Sequence, residues 1–188
     1  DNVNRGCGPS NLILVNDKMW VAASQQGKIA ICTLKGKVKS TIRDEELLGM
    51  NGMALHKELI WIANAGKIIM FDSSKQIIGS FQAHNAGRMA THILSHGDTV
   101  WTACSSELRI WDAPCLEMMS LAKEVSIGDG KYLCIAHSKD TGRIFTGSFN
   151  GELVMWNSRD GTPMQEMVPT LYSMSDIAVS KNNVWCVT

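Results

Sequence analysis

The chain has 188 residues, 45% of them hydrophobic, with 18 Lys plus Arg against 18 Asp plus Glu. That length makes about one domain, and the apolar share suits a folded core and excludes a disordered chain. The balanced charge offers no basic groove for a phosphate backbone and no polybasic patch for lipid, so neither nucleic acid nor membrane insertion is expected.

Along the chain, Asp1 to Ser10 lack the apolar stretch of a secretory leader, and no apolar run is long enough to span a membrane. Short strands then follow one another. Leu12–Val15, Lys18–Val21, Lys28–Thr33 and Val38–Ile42 read as four strands, bounded by Asn, Asp and Gly. Glu45–Met50 holds at most one helical turn. Met53–Leu55, Leu59–Ile62, Lys67–Asp72 and Gln76–Phe81 make a second set of four. Met89–Leu94, Thr99–Thr102, Glu107–Asp112 and Leu116–Leu121 make a third. Leu133–Ala136, Arg143–Thr146, Glu152–Asn157 and Met164–Met167 make a fourth, and Met174–Val179 with Asn183–Cys186 begin a fifth.

The sets are copies of one unit. Aromatic residues at 20, 61, 101, 145 and 185 recur at intervals of 41, 40, 44 and 40. After each of the first four comes a segment reading Lys or Glu, an aliphatic, any residue, Ile or Met, usually an aromatic, then Asp, Asn or Thr. Four antiparallel strands in about 40 residues, repeated, is the pattern of a propeller blade. A single blade cannot hide both faces, so it stacks on its neighbours, and its middle strands carry apolar runs such as Ile68-Ile69-Met70-Phe71.

The segment Leu108-Arg109-Ile110-Trp111-Asp112 resembles the signature end of a WD repeat. Met155-Trp156-Asn157 and Met70-Phe71-Asp72 are variants of it, and Phe81-Gln82-Ala83-His84 resembles the Gly-His start. The resemblance runs from Leu12 to Thr188. It implies an all-β fold, a β-propeller of WD-repeat type with four four-stranded blades, roughly 12–43, 52–82, 89–122 and 132–168, plus a partial fifth at 174–188. It also implies an open fragment of a seven-bladed propeller; a closed four-bladed ring is the alternative. Family members often hold a His–Ser/Thr–Asp–Trp hydrogen-bonded set in each blade. The third repeat has His84 and Trp111 but no Asp between, and the fourth has Trp156 and Asn150 but no matching His, so these networks are expected to be incomplete.

Searches for chemistry return little. The cysteines at 7, 32, 104, 115, 134 and 186 show no metal or redox spacing and read as small buried hydrophobes in a reducing, cytoplasmic setting. His92 and His96, four apart on a strand, stand about 13 Å from each other, too far to share a metal. His84 reads as a structural donor. No nucleophile elbow and no phosphate-binding glycine loop occurs. The first strands read as almost wholly apolar, against a catalytic channel. No catalytic residue, cofactor or metal is expected.

The resemblance implies a protein–protein interaction scaffold within a larger cytosolic regulatory or signalling protein. A closed four-bladed ring would instead bind a small ligand or act as a hydrolase through its channel. Partners of the family dock on the rim formed by the loops from fourth to first strands and from second to third strands. Those loops carry Arg43, Asn85, Arg88 and Tyr172 in the first class, and Gln25, Asn64, Ser105, Phe149 and Asn150 in the second. Phe149, Arg88, Tyr172, Arg43, Asn64 and Asn150 are the candidate partner-binding residues, since aromatics and Arg dominate protein interfaces. Phe149 either reaches a partner or tucks under its own turn.

Overall fold

A computed structural model describes residues 10–85, 90–104, 107–115, 119–126, 132–167, 172–180 and 183–188. The chain divides into two compact units, residues 1–87 and 88–188. The first unit holds two antiparallel four-stranded sheets. One is β1 (Asn11–Val15), β2 (Lys18–Ala23), β3 (Lys28–Thr33) and β4 (Val38–Arg43), in that spatial order. The other is β5 (Met50–His56), β6 (Leu59–Asn64), β7 (Lys67–Phe71) and β8 (Ile77–Gln82). The turn expected after Glu45 is a single 3₁₀ turn, Glu45–Leu47.

The second unit repeats the design. Its sheets are β9 (Ala90–His96), β10 (Thr99–Cys104), β11 (Glu107–Asp112) and β12 (Ser120–Ser126), then β13 (Tyr132–Ser138), β14 (Arg143–Ser148), β15 (Leu153–Asn157) and β16 (Pro163–Met167). A two-stranded sheet, β17 (Asp176–Ser180) and β18 (Asn183–Val187), completes it. One strand lies away from its expected place. The fourth strand of the third blade is Ser120–Ser126, not Leu116–Leu121, so that blade runs past the expected limit at 122. Leu121 faces solvent there, and Val125 is the residue that packs onto the core.

Burial follows the need to cover two faces. In β6, β7, β10 and β15 nearly every residue is buried, whereas β4 and β8 at the outer edge alternate exposed and half-buried. Within each unit the first strands lie side by side, β1 against β5, and β13 between β9 and β17. One core in the first unit joins Trp20, Ile29, Ile31, Ile60, Ile62, Ile69 and Phe71 from both sheets. Each such large side chain contributes about 1.5–3 kcal/mol by leaving water.

Polar order inside the blades is better kept than the sequence implies. The Trp111 indole donates to Thr102 Oγ1 at 3.0 Å, and the Trp156 indole to Thr146 Oγ1 at 2.8 Å. His84 is buried at the end of the second blade, its backbone N–H donating to Gly66 O at 2.9 Å.

Three hairpin turns share one backbone pattern. Thr33 N–H donates to Lys37 O while Gly36 N–H donates to Thr33 O; Asp72, Gln76 and Lys75 repeat this, as do Ser148, Glu152 and Gly151. The residue before the last adopts a left-handed backbone, with φ of 80° at Gly36, 81° at Gly151 and 72° at Lys75. Glycine does this freely, but an L side chain pays about 1–2 kcal/mol.

Gly147 is a close-approach position. A Cβ there would stand 2.7 Å from Cys134 Sγ, 2.9 Å from Met174 Sδ and 3.0 Å from Ile177 Cδ1, all buried. Gly147→Ala is therefore expected to destabilise by about 1–3 kcal/mol through overpacking. Urea unfolding measures this, and an unchanged midpoint would refute the tight packing.

Candidate partner-binding rim

In the first unit the β2–β3, β4–β5 and β6–β7 connections meet in one patch. In the first unit the β4–β5 connection is pinned at several points. Asp44 Oδ1 accepts the Glu46 N–H at 2.9 Å, Asp44 N–H donates to Gly27 O at 3.1 Å, and Gly49 N–H donates to Ser24 O at 3.0 Å. Leu47 is fully buried beneath, while Leu48 is exposed. Arg43, exposed at the end of β4, lines with Gln26, Gly27, Asp44, Glu45 and Leu48 a shallow pocket of about 240 Å³.

Asn64 has a different role from its neighbours on the rim. Its side-chain amide donates to Glu46 O at 2.5 Å, and Lys67 Nζ lies 2.8 Å from the Glu46 carboxylate. These bonds tie the β6–β7 turn to the β4–β5 connection, so the half-buried Asn64 holds the rim in place. Gln25 also has partners within the protein, and Asn85 is exposed.

In the second unit the β14–β15 turn is organised by Ser148. Its hydroxyl accepts the N–H groups of Asn150 and Glu152 at 3.2 Å and 3.1 Å, which leaves Phe149 at the apex. Phe149 does not tuck under its turn; its side chain is 57% exposed. The carbonyl of Ser148 accepts the N–H of Met174 at 3.1 Å, and Met174 is fully buried as an anchor. Tyr172, two residues before that anchor, is 74% exposed. One backbone bond thus sets Phe149, Asn150 and Tyr172 on the same rim. Arg88 and Ser105 lie outside the described residues.

Sequence reasoning missed Leu48. The pair Leu47-Leu48 after an acidic run carried no period, and only the 3₁₀ turn decides which leucine goes in. It also read the first strands as more apolar than they are. His92 on β9 and Asp176 on β17 interact electrostatically: burial lowers the imidazole pKa, and the Asp176 charge opposes that shift. Burial likewise lowers the pKa of His137, whose ring packs 4.1 Å from that of His96. Among the described residues no group of three His, Cys, Asp or Glu comes together. Burial pushes the Cys134 thiol up to about 12, so it stays protonated and unreactive at neutral pH.

No family model and no curated protein sequence matches the chain. Solved structures do. The Neurospora crassa Pan2 WD40 domain superposes with a TM-score of 0.70 at 12% identity, covering 90% of this chain and 54% of that one. The fold is that of a WD40 β-propeller. The Myceliophteria thermophila Cps50 (Swd1) β-propeller domain gives 0.70 at 12% identity, covering 95% of this chain and 61% of that one. The computationally designed Ika8 protein gives 0.73 at 13% identity, covering 93% and 54%. This chain therefore spans little more than half the length of these neighbours. Among the described residues no helix is long and apolar enough to cross a membrane.

The two kinds of rim residue separate by stability. Asn64→Ala removes the clamp on Glu46 and is expected to cost about 1 kcal/mol, while Phe149→Ala changes stability by less than about 0.5 kcal/mol. Equal losses in urea unfolding would contradict the assignment. Brief alkylation at pH 8 should label exposed Cys115 well before Cys134, read by peptide mass spectrometry; equal labelling would contradict the buried thiol.

Proposed function

We propose that this chain is a protein-interaction module without catalytic activity, part of a seven-bladed propeller in a larger cytosolic regulatory or signalling protein. The observation that carries this reading is the placement of Phe149 and Tyr172. Two large aromatic side chains are exposed on turns that the backbone bond from the buried Met174 to Ser148 ties together. Exposed aromatics cost solubility, whereas at a protein surface they make interface anchors at low entropic cost. Arg43 and Leu48 offer a similar mix of cationic and apolar contact in the first unit.

The described cysteines, all free, agree with a reducing compartment. The span of little more than half the neighbours' length agrees with further blades in the whole protein. The reading without catalysis is supported by two buried groups: burial lowers the His92 pKa and pushes the Cys134 thiol up to about 12.

The test places a photo-crosslinking benzoylphenylalanine at Phe149 and identifies captured proteins by mass spectrometry from the chain's own cell type. Phe149→Ala with Tyr172→Ala is expected to reduce capture of those proteins at least tenfold in a pull-down, with the melting temperature held within about 2 °C. Undiminished capture by the double variant would remove the rim from the interface.

A further inference from the structure

The turns at the other ends of the strands carry a second site, in the first unit. A cavity of about 320 Å³ opens where the β1–β2 turn, β4 and the β7–β8 turn meet. Val15, Trp20 and Ile31, all buried, form its floor. Lys18, Lys39 and Lys75 stand around its mouth, and no Asp or Glu lines it. Among the described residues no carboxylate lies within ion-pair distance of any of these three lysines. Three uncompensated ammonium groups over an apolar floor make a site for an anion with an apolar stem.

Lys75 gives the strongest indication. In the matching turns Gly36 and Gly151 hold its place, with φ of 80° and 81°. Lys75 is held at φ 72°, a left-handed backbone that a side chain disfavours. Its turn needs no lysine: Asp72 already closes it by accepting the Gln76 N–H at 2.9 Å and the Ser74 hydroxyl at 2.8 Å. What the lysine adds is an ammonium group aimed across the cavity, donating to Ser40 Oγ on β4 at 3.0 Å. A left-handed backbone kept by a lysine where the matching turns have glycine points to a role for the side chain.

We propose that this cavity binds a phosphate monoester on an aromatic ring, as the phosphotyrosine of a partner peptide presents it. A phosphate is nearly a dianion at neutral pH with three strong acceptor oxygens, which matches three ammonium donors better than a carboxylate does. The volume lies in the range of small-ligand sites, so there is room beneath the anion for a ring to cover Val15, Trp20 and Ile31. A rigid ring buries that apolar area with little loss of conformational freedom. This site is independent of the aromatic rim patch and stands or falls separately from it.

Isothermal titration of the 188-residue chain at 150 mM salt tests it, with acetyl-phosphotyrosine amide, acetyl-tyrosine amide, inorganic phosphate and phosphatidylserine vesicles as probes. The phosphotyrosine compound is expected to bind at least tenfold more tightly than either small probe. Lys75→Gly is expected to weaken it at least fivefold while the melting temperature stays equal or rises, because backbone strain is relieved. Lys18→Gln with Lys39→Gln should weaken it further. Equal binding by Lys75→Gly and the unaltered chain would overturn the proposal, as would a lower melting temperature for Lys75→Gly, which would make the lysine structural. Inorganic phosphate binding as tightly as the aryl phosphate would also overturn it, and lysine-dependent binding to vesicles alone would assign the patch to a membrane surface instead.

Discussion

The structure depends on one constraint: a four-stranded blade has two apolar faces and water is available to both. Its middle strands, such as β6 and β7, are buried almost throughout, so each needs cover on both sides. Neighbouring blades supply that cover, with first strands meeting side by side and fourth strands left at the outer edge. The same constraint decides where variation is tolerated. Edge strands and turns meet solvent and are free to carry charge, whereas a change in β6 or β10 must be answered by the blade beside it.

The interior shows how such an answer is made within one chain. In the third and fourth blades a third-strand tryptophan, Trp111 or Trp156, donates to a second-strand threonine, Thr102 or Thr146. In the second blade the same two places hold Phe71 and Ile62, both buried, and in the first they hold Cys32 and Val21. Donor and acceptor are both absent from each of these two blades. Removing one member of a buried hydrogen-bonded pair costs about 1–3 kcal/mol, but replacing both by apolar groups is nearly neutral. The repeats therefore differ in pairs, and the blades keep their packing with or without this hydrogen bond. The indole N–H of Trp61 is buried without a partner among the described residues, whereas that of Trp101, at the same place in the third blade, donates to Thr99 Oγ1 at 3.2 Å.

This explains how much of the molecule was legible in advance. Strand period and spacing give the blades, because burial on two faces writes itself into every middle strand. The exception, β12, lies after Pro114, where the residue packed against the core is the partly buried Val125 rather than a leucine at the expected offset. The rim was legible as a set of loops but not as roles. Asn64 and Phe149 occupy equivalent-looking turns, yet one side chain bonds to Glu46 O and the other stands in water. No local pattern separates them, because the partner of Asn64 lies 18 residues away in sequence. The lysine cavity was not legible at all: its cations come from β2, β4 and the β7–β8 turn, and only the fold brings them together.

The turns carry the functional information because the scaffold leaves them little else to do. In the three matching turns the left-handed place is held by glycine at Gly36 and Gly151 and by a lysine at Lys75. A charged side chain in that place is a departure from the cheapest solution, and the blade packing that over-determines the turn is what allows it. The Asp72 carboxylate takes part in this: its hydrogen bonds to Gln76 and Ser74 hold its pKa below the ordinary value, so the closing bonds persist at any pH near neutral. A turn closed so firmly by its own first residue can hold an unfavoured backbone three positions on, at Lys75, whose ammonium group bonds to Ser40 Oγ. Order imposed by the core is thus converted, at the turns, into the positioning of exposed side chains.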